Sequence, residues 1–266
     1  MNEAQPRGVV LITGASGGIG EAFAHAVAAD GHGLAIAARS EAELSRVREA
    51  IETKYRVPVA AFSLDLVERG ACDALAEALA ERALVPDILI NNAGFGLIGK
   101  AARLSRQAQL EMIDLNVRAL TDLTLRYLPD MIARRTGGVV NVASIAAFMP
   151  GPQMAVYFAT KAFVLSFTEA LAEEARSTGV TVTSVCPGPV ETGFQARAGM
   201  KRARALSRIN PMSAEEVARA GWAGFKSGKR TVVPGLLNKI TAYSTRGAPR
   251  RLLLPILRRA VASAKA

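Results

Sequence analysis

The stretch VVLITGASGGIG, Val9 to Gly20, decides the fold. An apolar, β-branched run ends at Thr13 and passes directly into three glycines, Gly14, Gly18 and Gly20, spaced G-x3-G-x-G. An alanine-rich amphipathic stretch, Ile19–Ala29, follows. In such a turn Gly14 permits the tight bend, Gly18 lets the backbone approach a diphosphate, and Gly20 lets the helix pack close to the strand. The helix N-terminus adds unpaired N–H groups and partial positive charge. A glycine loop alone is a weak signal; between a first strand and a helix it becomes a strong one for a dinucleotide.

The same alternation repeats along the chain. Strands are expected at Val9–Thr13, Leu34–Ala38, Val59–Ser63, Ile88–Asn91, Val139–Ala143, Thr181–Cys186 and Thr231–Val233. Helices are expected at Ile19–Ala29, Glu41–Lys54, Arg69–Arg82, Gln107–Arg134, Met154–Ser177 and Ala214–Lys226, from apolar spacing and alanine content. Ser213 precedes two acids and reads as a helix N-cap. Short, continuously apolar strands alternating with helices imply an α/β protein: a Rossmann-type, doubly wound parallel sheet of about seven strands with helices on both faces. No linker composition interrupts the chain before about residue 235. One catalytic domain, 1–235, followed by a basic amphipathic extension, 236–266, is the expected organisation.

The chain has 266 residues, half of them hydrophobic, which is ample for one large core. No run of 18 or more apolar residues suggests a spanning helix, and the N-terminus lacks the pattern of a signal peptide. Cys72 and Cys186 lack metal-like spacing, and His25 and His32 fall in no Ser/His/Asp or metal pattern. No metal site is expected, and two separated cysteines fit a reduced, cytoplasmic protein. Charge is uneven. Residues 1–196 carry 17 Lys/Arg and 21 Asp/Glu, whereas residues 197–266 carry 16 Lys/Arg and two acids, Glu215 and Glu216. The last quarter therefore meets something negative or presents a solvated basic face. No aromatic stacking platform or reader motif accompanies the charge, so nucleic acid is not expected.

Further motifs stand in order behind the glycine turn: NNAG at 91–94, Asn116 within the long helix, Ser144 closing the fifth strand, YFATK at 157–161 and PGPVET at 187–192. With TG-x3-GIG these resemble the short-chain dehydrogenase/reductase family over roughly residues 7–235. Hydride transfer to a carbonyl leaves charge on oxygen, and a proton donor must quench it. Tyr157 and Lys161 lie one helical turn apart, where an ammonium would lower the phenol pKa from about 10. The resemblance makes Tyr157 the acid/base and Lys161 a ligand of the nicotinamide ribose. It makes Ser144 the hydrogen-bond partner of the substrate oxygen, and Asn116 the holder of a water that connects Lys161 to solvent. It places Gly14, Ser16, Gly18, Ile19, Gly20, Asn92, Ala93, Gly94, Pro187, Gly188, Val190 and Thr192 along the cofactor, with Asp65 at the adenine. The implied activity is oxidoreduction of a carbonyl/alcohol pair. The alternatives are a cofactor-binding interaction or membrane-associated protein with little turnover, and a sugar-nucleotide epimerase, which the short chain and glycine spacing argue against.

At the end of the second strand, an acid would bond a ribose 2′-hydroxyl. Here the sequence reads Ala37-Ala38-Arg39-Ser40, with alanine at the acidic position. Arg39 can grip a 2′-phosphate bidentately and Ser40 can add a donor, so NADP(H) is favoured over NAD(H). Phe95, Phe148, Gln153 and Phe194, with Leu97, Met149 and Met154, suggest a pocket for a hydrophobic ketone or 3-oxoacyl compound. Residues 193–212 read as a lid with positive charge at Lys201, Arg202 and Arg204. Three readings of 236–266 remain open: an anionic membrane surface, a cover for a subunit interface or the pocket, and an anionic acyl carrier. The resemblance also implies a homodimer or homotetramer packed through helices 107–134 and 154–177.

Overall fold

The structure, a computed structural model, describes residues 7–190 and 212–263. Seven parallel strands form one sheet in the order β3-β2-β1-β4-β5-β6-β7. They are β1 Val9–Thr13, β2 Gly33–Ala38, β3 Val59–Ser63, β4 Pro86–Asn91, β5 Gly138–Val142, β6 Thr181–Val185 and β7 Thr231–Val232. Strand order reverses between β1 and β4, and open parallel sheets place their ligands in the crevice at such a reversal.

Side-chain alternation explains the two covered faces. Val10 and Ile12 of β1, Ile88 and Ile90 of β4, and Val140 and Val142 of β5 enter one core. Leu11, Leu89 and Val139, at the alternate positions of the same strands, enter the other. Helices α1 (Gly18–Ala29), α2 (Glu41–Tyr55) and α7 (Ala214–Lys226) contribute to the first core. Helices α3 (Ala71–Glu81), α5 (Leu120–Arg134) and α6 (Ala155–Glu174) contribute to the second. Ser213 caps α7 with a full capping box: its hydroxyl accepts from Glu216 N at 3.1 Å, and its own N–H donates to the Glu216 carboxylate at 2.9 Å. Helix α6 is long and apolar enough by composition to cross a membrane, yet it packs on β5 and β6 and carries YFATK.

The helix expected over 107–134 is divided. A helix α4, Arg106–Ile113, leads into a π-helical turn, Asp114–Ala119, and then into α5. The extra residue per turn leaves no mark in an apolar periodicity, and π-turns gather at functional sites. The C-terminal extension forms two helices, α8 (Leu236–Gly247) and α9 (Arg250–Ser263). Ala242 of α8 is fully buried in a third cluster with Phe148, Val164, Cys186 and Val233, so α8 packs onto the body of the domain.

Candidate active site

At the reversal point, the ends of β1 and β4 are joined by one hydroxyl. Thr13 Oγ1 accepts the N–H groups of Asn92 and Ala93, each at 3.1 Å. Asn92 Nδ2 returns the link by donating to the carbonyls of Thr13 and Gly14, each at 3.1 Å. Thr13 does not figure among the expected contacts, although it sits inside the quoted turn. Gly14 adopts φ +67°, a conformation that favours glycine, and a Cβ there would lie 2.8 Å from Ala93 Cα. A Cβ on Gly20 would overlap Gly14 O, which explains how close α1 lies to β1. No side chain caps the first turn of α1, and the space beside Gly17 is open. An uncapped helix end facing open space is the arrangement that accepts a diphosphate, so these residues fit a dinucleotide.

Arg39 is exposed, and its guanidinium lies 3.6 Å from the Asp65 carboxylate. The other Asp65 oxygen accepts from Val67 N at 3.0 Å and closes a turn. Ser40 caps α2 by accepting from Glu43 N at 3.4 Å. Arg39 thus stands free enough to turn toward a ligand beyond β2, while Asp65 and Ser40 also hold local structure.

Tyr157 and Lys161 share one face of α6, opposite Ser144 at the end of β5. The Tyr157 and Ser144 hydroxyls share a hydrogen bond. Ser144 Oγ also accepts Ala146 N at 3.1 Å and faces the Pro187 carbonyl at 3.5 Å. Lys161 is buried, and its Nζ donates to Val142 O at 2.8 Å. A Cβ on Gly94 would lie 3.5 Å from Lys161 Nζ and 2.9 Å from Asn116 Oδ1, so NNAG and YFATK meet here. Burial pushes the Tyr157 phenol up to about 12, against the hydrogen bond from Ser144. Burial likewise pulls the Lys161 ammonium down to about 8. In the protein alone, burial sets the direction of the Tyr157 shift.

The π-turn explains Asn116. Its side chain pairs with the Phe95 backbone in both directions: Nδ2 donates to Phe95 O at 2.9 Å, and Oδ1 accepts Phe95 N at 3.1 Å. Nδ2 also donates to Thr160 Oγ1 at 3.1 Å. Both amide hydrogens are thus committed to protein acceptors. A second polar chain runs beneath the site: Asn91 Nδ2 donates to Asn141 Oδ1 at 2.9 Å and to Thr124 Oγ1 at 2.9 Å, and Asn141 Nδ2 donates to Thr168 Oγ1 at 3.0 Å. It ties β4, β5, α5 and α6 together in the core.

Pro187 follows β6, and its carbonyl faces Ser144 Oγ. Ile145 N donates to Pro187 O at 2.9 Å, and the Asn238 carboxamide of α8 lies against Gly188. Thr192, Phe194 and nearly all of the expected lid fall outside the described residues. A cleft beside Tyr157 is lined by Leu97, Leu104, Gln109, Met112 and Met154 among others. Leu97 and Met154 are among the expected pocket residues; Leu104, Gln109 and Met112 are not. Two pocket expectations change. Phe148 turns into the core, where its ring meets Tyr243 at 5.6 Å. Gln153 directs its side chain to Arg258 O at 3.3 Å. Among the described residues no cluster of His, Cys, Asp or Glu could hold a metal ion.

A glycine-turn nucleotide site facing Tyr157 and the buried Lys161 and Ser144 at the reversal of a doubly wound sheet defines a dinucleotide-dependent oxidoreductase site. Residues 8–203 match the family described as short chain dehydrogenase, and the chain belongs to that family. It is an oxidoreductase acting on the CH–OH/C=O pair. It is 40% identical over 187 residues to sulfoacetaldehyde reductase of Chromohalobacter salexigens, covering 70% of this chain and 73% of that protein. A short-chain dehydrogenase from Sphingobium yanoikuyae, solved in complex with NADPH, superposes with TM-score 0.81 at 32% identity, covering 92% of this chain and 95% of the other. One from Burkholderia phymatum, solved in complex with NAD, superposes with TM-score 0.80 at 26% identity, covering 90% and 92%.

Proposed function

We propose that the protein is an NADPH-preferring carbonyl reductase, or the reverse alcohol dehydrogenase, acting on a hydrophobic ketone or 3-oxoacyl compound. The observation that carries this reading is the hydrogen-bonded Tyr157–Ser144 pair, with Lys161 buried beside Gly94 at the sheet reversal. A bound nicotinamide would supply the hydride. The chain's own part is proton transfer. Ser144 orients the substrate oxygen toward Tyr157, whose phenol gives up its proton as charge develops there. A phenol held at about 12 keeps its proton at neutral pH, which suits an acid in the reductive direction. Lys161, still charged below about 8, steadies the tyrosinate that forms and would hold the ribose hydroxyls of a bound dinucleotide. Asn116 fixes the Phe95 loop against Thr160, one residue before Lys161. The glycine turn, Asn92, Ala93, Gly94, Pro187, Gly188, Val190 and Thr192 would line the dinucleotide.

Preference for NADP(H) rests on Arg39, with alanine at the acidic position. The substrate class rests on the apolar side chains Leu97, Leu104, Met112 and Met154 that line the shallow cleft beside Tyr157. Exposed Leu110, Ile113, Leu125 and Phe163 on α4, α5 and α6 support packing of a second copy there. The protein works in the cytoplasm, with 236–266 as an appended segment that meets an anionic surface. Oxidation of NADPH across a broad panel of ketones, aldehydes and 3-oxoacyl thioesters, repeated with NADH, tests the reading. NADPH binding without turnover on any member would favour the interaction-protein alternative.

A further inference from the structure

Helix α8 buries its small and polar side and exposes its large apolar side. Asn238, Ala242 and Thr245, at i, i+4 and i+7, face the protein. Leu236, Leu237, Ile240 and Tyr243 point outward and are between 53% and 73% exposed. A helix covering a water-facing domain shows the opposite order. Helix α9 continues the pattern, with Leu252 and Ile256 exposed one turn apart. Around these lie Lys239, Arg246, Arg250, Arg251, Arg258 and Arg259, all exposed, and residues 236–263 contain no Asp or Glu.

We propose that the outer face of α8 and α9 docks on an anionic lipid bilayer surface, its aliphatic side chains entering the acyl boundary and its cations meeting headgroup phosphates. Charge selects this occupant. A second copy would set six cations against six across a shared face, and the apolar residues on α4, α5 and α6 already offer it an uncrowded surface. A polyanion without an apolar phase would leave the leucines and isoleucines in water. The face also backs onto the active site. Tyr243 packs on Phe148, and Gln153 bonds to Arg258 O, both within the segment that joins Ser144 to Tyr157. An apolar carbonyl compound dissolved in the bilayer would therefore arrive beside the cleft; this route, unlike the docking, rests on the proposed function.

The test is co-sedimentation of the full chain with extruded vesicles of phosphatidylcholine alone, or containing about one-third phosphatidylglycerol, with the charge dependence expected of interfacial helices. The protein should pellet with the anionic vesicles, at least about tenfold less with the neutral ones, and be released by salt. The double substitution Leu237→Ser/Ile240→Ser should weaken vesicle binding by at least about tenfold while melting temperature, NADPH binding and subunit number stay unchanged. Failure to prefer anionic vesicles, or wild-type binding by the double variant, overturns the proposal. So does a changed subunit number in sedimentation velocity, which would assign the face to a second copy. Capture of an acidic acyl carrier protein that the double variant abolishes, without vesicle binding, would assign it to that partner. NADPH binding measured in parallel reads the active-site proposal separately.

Discussion

Replacing Lys161 by methionine should stabilise the protein in the absence of cofactor. Burial holds the Lys161 pKa at about 8 in the folded chain, against 10.5 for a free side chain. At about 1.4 kcal/mol per pKa unit, carrying that charge costs the folded state about 3 kcal/mol below pH 8. Methionine fills a similar volume without charge. It leaves Val142 O without the Lys161 donor, a loss of about 1 kcal/mol. The net gain near pH 7 is then about 2 kcal/mol, or roughly 5 °C in melting temperature for a chain of this size. The sign with pH follows from proton counts. Between about pH 8 and 10.5 the unfolded chain keeps a proton that the folded chain has released. Wild-type stability therefore rises through that window, and above it the cost is gone. Thermal unfolding of both proteins from pH 6 to 10 measures this. The advantage of Lys161→Met should be full at pH 7 and shrink as pH rises. A variant less stable than wild type at pH 7, or a difference independent of pH, would refute the reasoning.

Other expectations follow from single contacts. Thr13→Val removes the acceptor of two backbone N–H groups at the sheet reversal, and should cost about 2–4 kcal/mol in denaturant unfolding; a loss below 0.5 kcal/mol would contradict the link. Arg39→Asp should lower the NADPH-over-NADH ratio of kcat/KM by at least about tenfold, since it removes a forked phosphate donor and adds repulsion; an unchanged ratio rejects Arg39 as the selector.

Much of the fold is legible in the sequence because each strand is short, apolar and bounded by turns. The expected strands agree with β1 to β7 to within two residues at either end. The glycine turn is legible for the same local reason: Gly14 and Gly20 are dictated by the backbone they permit. What is not legible depends on distant partners. Asn116 reads as a mid-helix residue, and only the π-turn shows how it reaches Phe95. Thr13 gains its role from Asn92, just past β4 and 79 residues further on. Phe148 and Gln153 read as pocket residues because they neighbour the motifs, but α8 and α9 draw both away. The spacing of Tyr157 and Lys161 suggests a charge effect, whereas burial, set by the whole fold, dominates both groups.

The proton-transfer assignment is the central claim, and Tyr157→Phe tests it most directly. The substitution keeps the ring and removes the hydroxyl bonded to Ser144. With the best carbonyl substrate of the panel, kcat should fall by at least about a hundredfold, the lower bound for losing a positioned acid. NADPH affinity, followed by fluorescence titration, should stay close to that of the wild type. A kcat within about tenfold of wild type would contradict Tyr157 as the proton donor.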